Sequence, residues 1–198
     1  MEPVRIISGT AVPLERSDVD TDQIIPSDWL KRVERTGFGK GLFAEWRDDR
    51  DFVLNKPEYA GATILVAGPN FGTGSSREHA VWALTDYGFQ AVVSPRFGDI
   101  FRNNATKTGL VPVQVDAATG QALLDAVRND PSLELTIDIE RRTISAPAAG
   151  IEAEFPLDDF TQHRLLEGLD DIGITLQHGD DIDAFELRRP AWLPATTA

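Results

Sequence analysis

The sequence predicts an α/β fold in which a mixed, mostly parallel sheet is flanked by helices. Two observations carry the prediction. Between residues 62 and 129, short β-branched runs alternate with helical periods, as connected strand–helix–strand units do. Two strand-like segments, 133–139 and 142–145, then follow closely enough to return as a hairpin.

Taken in order, residues 4–7 read as a short strand and 15–22 as a polar loop. Ile24-Ile25-Pro26 begins a turn, and 27–36 is a charged helical or loop segment ending at Gly37. The glycine-dense segment 37–41 is expected to be mobile or ligand-facing. An apolar run at 62–67 is a buried strand, which leads through a glycine-rich loop into a helix reaching residue 87. A strand at 90–94, a helix at 97–107 ended by Gly109, and a strand at 110–115 come next. A helix at 117–129 is bounded by Pro131, and helical stretches at 158–169 and 175–188 follow. Residues 1–189 thus read as one domain with a C-terminal helical extension, and 190–198 as a poorly ordered tail. No repeat or low-complexity linker divides them.

Composition narrows the function. The formal net charge is −13, with no dense basic cluster, which argues against a nucleic-acid partner because phosphate neutralisation drives that binding. No apolar run approaches a membrane span, and the start lacks the layout of a signal peptide, so a cytoplasmic location is expected. The chain has no cysteine. It therefore cannot offer a thiol nucleophile or thiolate ligands for an iron–sulfur cluster. His79, His163 and His178 show no metal-ligand spacing, and no metal site is expected.

The most informative stretch is Gly68-Pro69-Asn70-Phe71-Gly72-Thr73-Gly74-Ser75-Ser76-Arg77-Glu78-His79. A glycine-rich strand-to-helix turn lets backbone approach a ligand, and the helix N-terminus beyond it favours an anion. Arg77, expected in the first helical turn, is opposed there by the helix dipole, and an anionic ligand supplies a reason for it. The loop matches neither Gly-x4-Gly-Lys-Ser/Thr nor Gly-x-Gly-x-x-Gly. A serine at this position also suits a helix cap; with two, one can cap while the other does chemistry.

These residues carry a resemblance. Asp20-Thr21-Asp22-Gln23-Ile24-Ile25-Pro26 together with Asn70-Phe71-Gly72-Thr73-Gly74-Ser75-Ser76-Arg77-Glu78-His79-Ala80 resembles the mobile domain of the aconitase superfamily. Trp29-Leu30-Lys31-Arg32, Arg35-Thr36-Gly37-Phe38-Gly39, Phe97-Gly98-Asp99-Ile100-Phe101-Arg102-Asn103-Asn104-Ala105 and Leu169-Asp170-Asp171-Ile172-Gly173-Ile174-Thr175-Leu176 bring it closer. Together they look like the small-subunit family of bacterial isopropylmalate isomerases (3-isopropylmalate dehydratases), over nearly the whole chain.

The resemblance implies the swivelling β/β/α domain of the aconitase type. It implies a large-subunit partner that holds a [4Fe–4S] cluster, while this chain binds no cofactor and completes the active site at the interface. The reaction implied moves the hydroxyl of 2-isopropylmalate to the adjacent carbon through isopropylmaleate, in leucine biosynthesis. Ser75 matches the position of the base that takes the carbon-bound proton, and Arg77 that of a substrate-carboxylate grip. A serine is a poor base unless positive charge and oriented donors stabilise its alkoxide. Ser76 would be a cap or secondary substrate contact. Substrate selection is assigned to residues 29–37: Leu30 against the isopropyl group, Trp29 in support, and either Arg35 or Arg32 as a second carboxylate clamp. Asp20 and Asp22 read first as turn formers, with Asp22 also able to orient a catalytic group. His79 is at least as well explained as a structural residue, and Arg102 and Asn103 either line the cleft or end a helix. Two alternatives stay open: a sibling dehydratase acting on homoaconitate-, methylcitrate- or citraconate-type acids, and a carboxylate-binding module without turnover.

Overall fold

Strand β1 (Ile6–Leu14) joins the two halves of the sheet. Its first half pairs antiparallel with a late strand, and its second half pairs parallel with the strand that feeds the glycine loop. Burial follows that division. Exposure varies along the first residues, whereas the last four, Ala11 to Leu14, are all buried. Consecutive strand residues face opposite sides, so this half is covered on both faces, as parallel sheets are. The computed structural model describes residues 1–31, 36–75, 77–190 and 192–193.

After β1 come a short helix α1 (Thr21–Ile24), single 3₁₀ turns, and a one-turn helix α2 (Ala44–Arg47). Strand β2 (Ile64–Ala67), helix α3 (Glu78–Tyr87), strand β3 (Ala91–Ser94), helix α4 (Asp99–Thr108), strand β4 (Val111–Gln114) and helix α5 (Ala117–Asn129) form the alternating unit. Strands β5 (Glu134–Asp138), β6 (Thr143–Ala146) and β7 (Ile151–Glu154) then make an antiparallel meander. Helices α6 (Asp159–Glu167), α7 (Asp171–Leu176) and α8 (Gly179–Leu187) follow. Among the described residues the sheet order is β4-β3-β2-β1-β5-β6-β7.

The expected α/β class with a mixed, helix-flanked sheet is what forms. The balance differs from mostly parallel: the pairs β1–β2, β2–β3 and β3–β4 are parallel, and β1–β5, β5–β6 and β6–β7 antiparallel. Two local readings account for the difference. The first strand does not end at residue 7 but runs on through Gly9 and Pro13 to Leu14. At Gly9, a Cβ would stand 2.3 Å from Thr63 Oγ1, so any side chain there would have to displace the Thr63 hydroxyl. β7 is a short, polar edge strand, Ile-Glu-Ala-Glu, without a hydrophobic run to announce it.

The glycine-dense segment 37–41 is a packing element. Phe38, Gly39 and Gly41 are buried, and Gly39 N donates to Asp86 Oδ2 at 2.9 Å. A Cβ on Gly39 would fall 2.7 Å from Tyr87 N, so the glycine permits backbone contact with the end of α3.

The C-terminal stretch resolves into α7 and α8, both without a buried residue. Asp171, at the start of α7, pairs with Lys107 at 3.1 Å and Arg164 at 3.0 Å, tying the module to α4 and α6. The hydrogen bond from Lys107, aided by both positive charges, holds its carboxyl below the ordinary carboxylate range. Most of the expected tail, 190–198, lies outside the described residues. No helix among the described residues is long and apolar enough to cross a membrane.

Candidate active site

The three loops leaving the carboxyl ends of β1, β2 and β3 continue to pair beyond the sheet. Gly72 N donates to Val19 O at 2.7 Å, and Thr21 N to Thr73 O at 3.0 Å. Phe71 N donates to Arg96 O at 3.0 Å, and Gly98 N to Phe71 O at 2.9 Å. The carboxyl ends of parallel strands are where α/β sheets present ligands. Here the glycine loop is the middle of three, held from both sides.

Tight packing beneath the loop explains its glycines. Gly72 has φ +75°, and a Cβ there would lie 2.3 Å from Phe101 Cγ. That ring is buried and packs edge-on to Phe71, with centroids 5.3 Å apart. Gly72→Ala is expected to cost about 2–4 kcal/mol, combining left-handed strain with overpacking. Gly61→Ala, at φ +80° with open space around it, should cost only the strain. Equal losses in denaturant titrations of the two variants would rule out the packing account.

Arg77 stands one residue earlier than the sequence implies. It is the N-cap of α3, in extended backbone at φ −129° and ψ 107°, with no side-chain cap bond. The helix proper starts at Glu78, whose acidic side chain suits the first turn. The Arg77 guanidinium is instead ion-paired through Nη1 with Asp22, the second residue of α1. Arg77 is largely covered, whereas Asp22 is exposed. Among the described residues, the guanidinium's remaining donors make no other hydrogen bond.

Ser75 is exposed, and its hydroxyl makes no hydrogen bond to another described residue. Its carbonyl accepts from Thr21 Oγ1 at 3.0 Å. Ser75 therefore does not cap the helix; Ser76 lies outside the described residues. Asp20 caps α1, accepting from Gln23 N at 2.8 Å while its own N–H donates to Gln23 Oε1 at 3.0 Å. That is the reciprocal capping box, and it places Asp22 on the first turn. His79 lies among aromatic rings, 5.3 Å from Phe38 and 4.7 Å from Trp82 between centroids.

The segment leaving α1 carries the remaining candidates. Trp29 and Leu30 lie in the 3₁₀ turn Ser27–Lys31, where both are half-buried. The Trp29 ring sits on Gly41, where a Cβ would come within 2.5 Å of it. Arg32 and Arg35 lie outside the described residues. The structure thus joins Ser75 and Arg77 to Thr21 and Asp22. Nothing in the local sequence around Thr21 signals its bond to residue 75.

Ser75 and Arg77 line neither of two clefts on the described surface. A groove of about 1030 Å³ runs along α4, β7 and the start of α6, past Arg102, Asn103, Arg142 and Asp158. A smaller cleft of about 360 Å³ lies against Arg16, Gly68 and Gly120. Arg102 and Asn103 are mid-helix residues lining the large groove. Within the glycine loop, Phe71 and Gly72 are buried whereas Gly74 and Ser75 are exposed. Among the described residues, no group of three or more His, Asp or Glu side chains is placed to hold a metal.

Comparison with known proteins supplies a second line of evidence. Residues 1–118 match the family model described as the aconitase C-terminal domain. Residues 171–198 match the model for the C-terminal domain of the 3-isopropylmalate dehydratase small subunit. A 3-isopropylmalate dehydratase small subunit from Frankia alni is 64% identical over 98% of this chain and 99% of its own. The corresponding protein of Rubrobacter xylanophilus is 60% identical over 98% of each chain. A crystal structure of 3-isopropylmalate dehydratase from Methanocaldococcus jannaschii aligns with a TM-score of 0.66 and 27% identity. The alignment covers 91% of this chain and 99% of that one.

Proposed function

This chain belongs to the family of 3-isopropylmalate dehydratase small subunits, and on that footing we propose that Ser75, Arg77 and Asp22 are its share of an active site completed by a large subunit. The chain is a subunit of an aconitase-family hydro-lyase of leucine biosynthesis. The single observation that carries the site assignment is the Asp22–Arg77 pair beside an exposed Ser75 whose hydroxyl makes no hydrogen bond among the described residues.

The reaction removes a proton and a hydroxide from adjacent carbons of 2-isopropylmalate, then adds them back in exchanged positions. In this reading Ser75 takes the carbon-bound proton and returns one to the neighbouring carbon. The partly positive start of α3 and the Arg77 charge favour the alkoxide that this requires. Arg77 grips a substrate carboxylate with the donors that Asp22 leaves free, and Asp22 fixes the plane of the fork. Ser76 is a secondary contact, and Arg35 or Arg32 the second clamp.

Expulsion of hydroxide calls for a Lewis acid, which an iron–sulfur cluster supplies when bound. With no cysteine, this chain's donor set does not fit such a cluster, and we assign it to the large subunit. The exposure of Ser75 on this chain supports the same division. An isolated exposed serine cannot exclude water, whereas the same loop closed against a partner can. Residues 1–189 act in this reading as one swivelling domain with a helical extension, in the cytoplasm, with neither nucleic acid nor membrane as partner.

Selectivity is placed on Leu30, supported by Trp29. An apolar contact with the isopropyl group rejects citrate-like acids by leaving their extra carboxylate unpaired. Leu30→Ala should lower kcat/KM for isopropylmalate about 10–100-fold, a truncated apolar contact being worth about 1–3 kcal/mol. Competition between isopropylmalate and citrate reads this out directly. An unchanged preference would remove Leu30 from the specificity loop.

The whole reading is tested by mixing the chain anaerobically with the cluster-loaded large subunit and following isopropylmaleate formation beside a citrate control. Turnover only with both subunits, and only on isopropylmalate, is expected. Inactivity with an intact cluster would shift the assignment to a sibling dehydratase or a binding module.

A further inference from the structure

We propose that Thr21 is a positioning residue for the reaction, holding the backbone that presents the Ser75 hydroxyl; the proposal rests on Ser75 being the base. Thr21 is buried at 2% exposure, on the first turn of α1. It grips the glycine loop twice. Its backbone N–H donates to Thr73 O at 3.0 Å, and its Oγ1 donates to Ser75 O at 3.0 Å. These two carbonyls flank Gly74, whose φ of +87° turns the chain. A Cβ on Gly74 would lie 3.8 Å from Thr21 Oγ1 and 3.9 Å from Thr21 N, so Thr21 is seated directly against the turn.

The consequence is mechanical. A glycine at positive φ is a permissive joint, and this one immediately precedes the reacting residue. The Ser75 hydroxyl makes no hydrogen bond among the described residues, so its side chain does not hold itself in place. The carbonyl tether from Thr21 restricts rotation about the backbone on which that hydroxyl sits. The next residue, Asp22, holds Arg77. Consecutive residues of α1 thus grip positions 75 and 77 across a sequence separation of more than fifty residues. Thr21 and Asp22 both lie within the single helical turn that α1 forms, so α1 sets the serine and the arginine in a common frame.

Thr21→Val keeps the shape and removes the donor, and Thr21→Ser keeps the donor. Both are assembled with the large subunit alongside Ser75→Ala, and kcat, KM, assembled fraction and Tm are measured for each. Misplacement of a reacting group by about 1 Å costs on the order of 100-fold. We therefore expect Thr21→Val to lose about 10–100-fold in kcat per assembled complex, with KM changed by no more than about twofold. Thr21→Ser should recover most of the loss. Unchanged kcat in Thr21→Val, beside an inactive Ser75→Ala, would overturn the positioning role and leave the serine assignment standing. A loss confined to Tm or assembly would overturn it as well, since that is a purely structural role. Retained turnover in Ser75→Ala would remove the base itself, and the proposal with it.

Discussion

Ser75→Ala, assembled with the cluster-loaded large subunit, is expected to lose about 10²–10⁴-fold in kcat, the range contributed by a positioned general acid–base. Substrate binding and subunit assembly should survive. The side chain is exposed and its hydroxyl holds no described partner, so removing one oxygen disturbs no packing. The tether from Thr21 uses the Ser75 carbonyl, which alanine retains. The loop should therefore keep its path, and KM should change by less than about threefold if binding is separate from proton transfer. Single-turnover measurements in deuterated solvent give the sharper test, because the variant should stop exchanging the carbon-bound proton. Activity within a few-fold of the unsubstituted enzyme would exclude Ser75 as the base.

Arg77→Lys is the second large effect expected, and its logic is geometric. Lysine keeps the charge but replaces a planar fork by a single ammonium. Asp22 already occupies one guanidinium nitrogen, so an arginine can hold Asp22 and a substrate carboxylate together. An ammonium has to share one centre between them. Losing a charge-assisted hydrogen bond worth about 1.5–3 kcal/mol predicts a fall of about 10–150-fold in kcat/KM. Folding should hardly notice. Arg77 is the N-cap of α3 without a side-chain cap bond, and a cation at a helix N-terminus is disfavoured. A Tm within about 2 °C of the parent is expected, and a large drop would reassign Arg77 as a structural residue. Asp22→Asn, which frees the fork while keeping its shape, should act in the same direction with a smaller effect.

Much of this was legible from local pattern. The strand–loop–helix unit around Gly68 to Tyr87 announces itself because its signals are adjacent: an apolar run, clustered glycines and then a helical period. The helix at 117–129 is framed by Asp116, whose carboxylate accepts from Thr119 N at 2.9 Å, and by Pro131. Ser75 and Arg77 stand out for the same reason. Structure departs from local pattern where the deciding contact is distant. Gly37, Gly39 and Gly41 form a glycine-dense segment that looks mobile, yet Gly39 and Gly41 are small so that the end of α3 and the Trp29 ring can approach. Arg77 looks like a first-turn residue because periodicity does not locate a helix boundary to within one position.

By itself, the sequence determined the α/β class, the order of its central elements, the absence of thiol chemistry and the loop that carries the candidate chemistry. Each of these depends on residues within a few positions of one another, or on composition. Only the tertiary structure decided that β1 serves both halves of the sheet, and that Thr21 and Asp22 are the partners of Ser75 and Arg77. The parallel pairing of β1 with β2, in register from Ala11 with Ile64 to Leu14 with Ala67, brings their two following loops side by side. A hydrogen bond between residues more than fifty positions apart leaves no periodic trace in the chain. It exists because two strands end at the same edge.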